Sequence, residues 1–148
     1  MKDYSSKYIV PDSRMTKQLI CEAIGDEKEA ARMYDDLATM AIDRHDKWQL
    51  MAIANDERKH ARMFTDIYKS LYNSMPCVGA KPYKPPEEYL KGLELAQMDE
   101  IMALEMYRVI MRGLPYERKY QDMMFEIITD EQKHADKLGH IIMEQELS

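Results

Sequence analysis

Cysteine is scarce in this chain. Cys21 and Cys77 are its two cysteines and no Cys-x-x-Cys pair occurs, which excludes a zinc ribbon or a rubredoxin-type iron site and leads us to expect two thiols. Basic charge is also short: 21 Lys and Arg against 27 Asp and Glu give a net charge of −6. With no basic cluster standing apart from matching acids, there is no electrostatic footprint for nucleic acid. No apolar run approaches the roughly 20 residues that span a bilayer, and nothing near the N-terminus resembles a signal peptide. The expectation is a soluble, cytoplasmic protein without a membrane partner. Glycine occurs only five times in 148 residues, while Ala, Leu, Met, Glu and Lys are plentiful, which favours long helices over strands.

The breaks along the chain divide it into four helices within a single domain covering residues 1–148. After an irregular tail of about residues 1–12, Asp12 or Ser13 caps a first helix running to about Ile42. Asp43-Arg44-His45-Asp46 reads as a tight turn, with Asp46 as the cap of a second helix that reaches about Tyr72. Residues 73–85, with Pro76, Gly79, Pro82 and Pro85, form the one long connection. Pro86 suits the first turn of a third helix ending near Gly113, where a left-handed glycine is expected, and a fourth helix starts at about Tyr116. Two hairpins joined by one crossover describe an all-α antiparallel four-helix bundle.

What the chain has in abundance is internal repetition. Asp56-Glu57-Arg58-Lys59-His60 returns as Asp130-Glu131-Gln132-Lys133-His134, and each copy follows an Asp-Glu-x-x-Ala-x-x-x-Tyr segment, Asp26 to Tyr34 and Asp99 to Tyr107. Glu27 precedes Glu57 by 30 residues and Glu100 precedes Glu131 by 31. The second half therefore repeats the first with one insertion.

Phase gives the repeat its chemical meaning. Ile20, Ile24, Glu27, Ala31, Tyr34, Ala38 and Ala41 follow the alternating four-and-three spacing of an inward seam. The second helix has Leu50, Ile53, Glu57, His60, Phe64, Ile67 and Leu71. The third has Leu93, Gln97, Glu100, Leu104, Tyr107, Met111 and Leu114, and the fourth Tyr120, Met124, Ile127, Glu131, His134, Leu138 and Ile141. Four carboxylates and two imidazoles thus occupy core phase with no Lys or Arg among them. Burying such charges uncompensated costs several kcal/mol each. Two divalent cations match four carboxylates and two neutral imidazoles, and a Glu and His three residues apart project from one helical face toward one cluster. A single Glu-x-x-His is commonly a solvated acid beside an unrelated histidine; the duplication and the shared phase point instead to two metal ions. Mixed oxygen and nitrogen donors favour iron or manganese.

With its paired Glu plus Glu-x-x-His layout, carried by Glu27, Glu57, His60, Glu100, Glu131 and His134, the chain resembles the ferritin-like di-iron carboxylate superfamily and, within it, the erythrin domain of rubrerythrins, over residues of about 16–145. The resemblance implies a ferritin-like bundle holding two iron ions per chain, with manganese as the alternative. It also implies a non-haem oxidoreductase that reduces hydrogen peroxide or dioxygen with electrons from an external donor. Glu57 and Glu131 would bridge the ions, Glu27 and His60 would complete one site, and Glu100 and His134 the other. The chain departs from rubrerythrins in having Ala103 where they typically carry a further carboxylate, and in lacking a rubredoxin-like module. A dimanganese catalase and a non-enzymatic iron-handling protein remain the competing readings.

Around these six, Asp56 and Asp130 either orient a histidine of the opposite half or are surface charges. Tyr34 and Tyr107 either hydrogen-bond ligands, or relay electrons, or simply pack. The 14 Met residues read as core filling, and Ala30 and Ala103 either leave room for oxidant or allow close helix approach. His45 and His140 fall outside the cluster. Exchange of helix pairs across the crossover would make a homodimer.

Overall fold

Aspartates start the first two helices. In the computed structural model, which describes residues 9–76, 78–79 and 81–148, Asp12 accepts the backbone N–H of Met15 at 2.8 Å and opens α1, Ser13–Met40. Asp43 accepts those of His45 and Asp46 at 2.8 and 2.9 Å and opens α2, Arg44–Tyr72. Each satisfies donors that a helix leaves without an internal partner. The cap of α2 is therefore Asp43 rather than Asp46, which lies inside the first turn and is 2 % exposed. Asn73 ends α2 in a left-handed conformation with φ 50°, one that asparagine tolerates better than most residues.

The other two helices start later than the sequence suggests. α3 spans Tyr89–Gly113 and α4 spans Arg118–Leu147, so Pro86 precedes α3 and Tyr116 precedes α4. Neither Glu88 nor Glu117 makes a side-chain cap hydrogen bond, which leaves these starts weakly marked by local chemistry. Gly113 does not have a positive φ. Its missing side chain serves close approach, since a Cβ there would fall on Thr16 Oγ1 and within 2.7 Å of Pro11. Glycine is needed where the α3 terminus meets the start of α1, not for a left-handed turn.

α1 packs on α2 and α3, and α4 packs on α3 and α2. The short turns after α1 and α3 make two antiparallel hairpins, and residues 73–88 carry the chain from one to the other. Among the described residues all regular structure is helical. Cys21 is half-buried against the core, and Cys77 lies outside the described residues. Among the described residues no helix is long and apolar enough to cross a membrane.

Two apolar clusters fill the bundle, one on each side of its middle. One is built around Ile20, Ile24, Phe64, Ile110, Met124 and Ile127, the other around Leu37, Leu50, Ile53, Leu93, Leu138 and Ile141. The α4 seam is buried at every position from Tyr120 to Ile141. On α3 the buried face is displaced: Ala96, Met106, Val109 and Ile110 are buried, whereas Gln97, Leu104 and Met111 are only half-buried. Gln97 instead donates to the Ala135 carbonyl at 3.1 Å, using its position to tie α3 to α4. The layer between the apolar clusters is polar.

Candidate metal centre

Each helix delivers its acid to the same depth. Glu27 from α1, Glu57 and His60 from α2, Glu100 from α3, and Glu131 and His134 from α4 are each 3 % exposed or less. Two overlapping groups of donor atoms result. Glu27, Glu57, His60 and Glu131 form one, and Glu57, Glu100, Glu131 and His134 the other, each with its donor atoms within 4.8 Å of one another. Glu57 and Glu131 belong to both. The His60 and His134 rings stack across the middle with centroids 6.0 Å apart.

Hydrogen bonding around the cluster crosses between the two halves. His60 Nε2 lies 2.9 Å from Asp130 Oδ2, and His134 Nε2 lies 2.9 Å from Asp56 Oδ2. Tyr34 donates its hydroxyl to Glu100 Oε1 at 2.5 Å, and Tyr107 donates to Glu27 Oε1. Each half thus supplies the groups that orient the acid and imidazole of the other.

These contacts occupy only the outward atoms. Glu27 Oε2, Glu57 Oε1, Glu100 Oε2, Glu131 Oε1, His60 Nδ1 and His134 Nδ1 are buried without a hydrogen-bond partner, one atom from each of the six residues. His60 Nδ1 is 2.9 Å from Glu131 and His134 Nδ1 is 3.0 Å from Glu57, but without hydrogen-bond alignment. Buried polar atoms are normally satisfied, and six orphans facing one another are costly. A set of oxygen and nitrogen lone pairs converging in this way is what a pair of cations requires, so the residues present fit a two-metal site. With Nε2–H donated to an aspartate, the Nδ1 lone pair is left to face inward.

The electrostatics show the same demand for positive charge. Burial, followed by the charges of Glu27 and Glu131, pushes Glu57 well above the usual carboxylate range. Burial, then Glu27 and Glu100, does the same to Glu131. Burial disfavours the charged forms of His60 and His134, yet the surrounding carboxylates outweigh it and raise both. The hydrogen bond from His134 holds Asp56 below its ordinary value. Burial works to raise Asp130, but its bonds to His60 and Lys59 leave it lowered. A buried cluster of acids raised in this way favours bound positive charge, whether a proton or a cation.

The two sides of the centre differ. On the α2–α4 side, Lys59 Nζ sits 3.0 Å from Asp130 and 4.0 Å from Asp56, covering the aspartates behind both histidines. On the α1–α3 side a cavity of 610 Å³ reaches Glu27, Glu57, Glu100 and Glu131 from the surface. Its wall includes Ala30, Met33, Met102, Ala103 and Met106, and Glu22, Asp26, Glu29, Asp99 and Lys81 also line it. Lys81, from the crossover, pairs with Asp26.

All six residues singled out by the repeat, and the four around them, therefore meet at mid-bundle. His45 lies apart, stacked on Trp48. Lys59 was not foreseen, nor was the size of the cavity, although Ala30 and Ala103, read as leaving room for oxidant, both line it. The repeat holds a lysine at Lys59 and at Lys133, but only packing distinguishes the one that reaches the aspartates.

No family model matches the chain, and no curated protein matches it. One solved structure is similar, a dodecameric thioferritin described as the bacterioferritin-related protein from Bacteroides fragilis. It superposes with a TM-score of 0.74 and 18 % sequence identity, over 92 % of this chain and 88 % of that one. At this identity the likeness establishes the fold: an all-α, ferritin-like four-helix bundle.

Proposed function

We propose that this ferritin-like bundle is a non-haem di-iron oxidoreductase that reduces hydrogen peroxide or dioxygen. The observation that carries this reading is the set of six inward atoms without partners, one from each of Glu27, Glu57, His60, Glu100, Glu131 and His134. Glu27 and His60 would hold one ion, Glu100 and His134 the other, and Glu57 and Glu131, which belong to both donor groups, would be shared. Bound iron supplies the electrons that reduction of peroxide or dioxygen consumes, and an external donor restores them.

The chain's own groups do the rest. Asp56 and Asp130 fix the tautomer and orientation of His134 and His60, leaving Nδ1 free. Tyr34 and Tyr107 hold Glu100 and Glu27 by one oxygen each, so the other oxygen points inward. Their hydroxyl pKa values are raised well above normal by burial and by the carboxylates, so each keeps its proton at the ligand oxygen. The apolar clusters exclude water above and below, and the α1–α3 cavity admits the oxidant.

A second reading, iron uptake in which oxidation serves sequestration, is favoured by the four outer acids of the cavity, Glu22, Asp26, Glu29 and Asp99, and by the likeness to a thioferritin. That protein is dodecameric; for this chain we expect association of copies, a homodimer being the simplest form. Dimanganese catalysis uses the same donors and is distinguished by metal content.

Protein loaded anaerobically with Fe(II) and mixed separately with peroxide and with air tests the proposal. Faster oxidation by peroxide marks a peroxidase, and faster oxidation by air marks a ferroxidase or oxidase. Iron that is bound but inert to both oxidants would refute oxidoreductase function.

A further inference from the structure

The cavity between α1 and α3 is much larger than the oxidants it is asked to admit. A water molecule takes about 30 Å³ of liquid and peroxide not much more, whereas this cavity measures 610 Å³. That volume is within the range of sites that enclose small organic ligands, about 300–1,000 Å³.

Its wall is suited to such a ligand. Ala30 and Ala103 stand one turn beyond Glu27 and Glu100 at equivalent places in the repeat, so two methyl groups occupy what larger side chains would fill. Met33, Met102 and Met106 complete the apolar part with flexible, polarizable side chains that adapt to a guest's shape. At the floor stand Glu27 and Glu100, whose inward oxygens belong to the proposed metal centre. Toward the outside, Glu29 and Asp99 line the mouth beside the Lys81–Asp26 ion pair. An anionic ligand would meet the like charges of Glu29 and Asp99, with Lys81 already engaged by Asp26.

We propose that this cavity is a binding chamber for a small, uncharged, largely apolar organic molecule, seated against Ala30, Met33, Met102, Ala103 and Met106 with its polar end toward the Glu27 and Glu100 floor. This extends the proposed di-iron reading by giving the site an organic substrate beside its oxidant.

The test uses 2-phenyl-2-propanol as the probe, titrated into metal-free and into zinc-loaded protein, zinc being redox-inert. Saturable binding at one probe per chain is expected, with shifts confined to the methyl signals of Met33, Met102 and Met106 in methionine-labelled wild-type protein. Filling the chamber by Ala103→Leu or Ala30→Leu should weaken binding by about tenfold or more. Melting temperature and helicity show that each variant is folded. In the metal-free protein, where no cation attracts a carboxylate, benzoate, an anion of similar size, should bind about tenfold more weakly than the alcohol. Absence of saturable binding, methyl shifts elsewhere, unchanged binding in folded variants, or equal binding of benzoate would overturn the proposal. Zinc uptake at two ions per chain without alcohol binding would remove the chamber and leave the metal reading standing. Alcohol binding by a protein that takes up no metal would do the reverse.

Discussion

Tyr34 on α1 donates its hydroxyl to Glu100 on α3 across 2.5 Å, and the repeat returns the same bond from Tyr107 to Glu27. Each aromatic thus spans the seam between hairpins and fixes an acid of the other half. Replacing Tyr34 by Phe leaves Glu100 Oε1 buried without its donor, which should destabilise the metal-free protein by about 1–3 kcal/mol. Urea denaturation checks this, and an unchanged midpoint would show that the bond contributes nothing net.

The aspartates behind the histidines act on the cluster without belonging to it. Asp130→Asn and Asp56→Asn keep the shape but weaken the preference for the Nε2–H tautomer of His60 and His134. Metal affinity should fall about 10–100-fold in each while helicity is retained. A competition titration against a chromophoric chelator measures the loss.

The raised acids and imidazoles set a direction for pH dependence. Glu57, Glu131, His60 and His134 all have raised pKa values in the metal-free fold, so the native state binds more protons than the unfolded chain. Their contribution is complete below the unfolded values and is lost as pH rises through the folded ones. Asp56 and Asp130 are lowered, and their opposite contribution is lost only as the solution becomes strongly acidic. Metal-free protein should therefore lose stability as pH rises above about 5, past the unfolded carboxylate values, while metal affinity increases as protons are displaced. Melting temperatures and metal titrations over rising pH test both trends.

Gly113 makes the end of α3 fit against Thr16. Gly113→Ala should destabilise by about 1–3 kcal/mol through overpacking, and Thr16→Ala in the same chain should recover part of the loss. A double-mutant cycle with no coupling would contradict the close approach.

The duplicated motif made the centre legible in the sequence because its six residues share core phase and the two halves share spacing. Asp56, Asp130, Tyr34 and Tyr107 were legible as candidates for the same reason, but not their crosswise pairing, which depends on how the hairpins dock. The first helix start was legible to within one residue, Asp12 or Ser13, of which Asp12 is the cap, and the second was misread by three, at Asp46 for Asp43. The starts of α3 and α4 carry no side-chain cap and so left no clear local signal. The displaced face of α3 was hidden because an apolar residue on a seam, such as Leu104 or Met111, reads the same whether it meets a partner helix or lies half-buried. The cavity is a property of two helices that the spacing within either one cannot report.

The most direct test of the two-metal centre is anomalous diffraction from crystals of iron-loaded protein at the iron edge. Two peaks are predicted among Glu27, Glu57, His60, Glu100, Glu131 and His134, one beside each histidine Nδ1. Iron found only at the surface, with these six side chains still enclosing no anomalous density, would contradict the account.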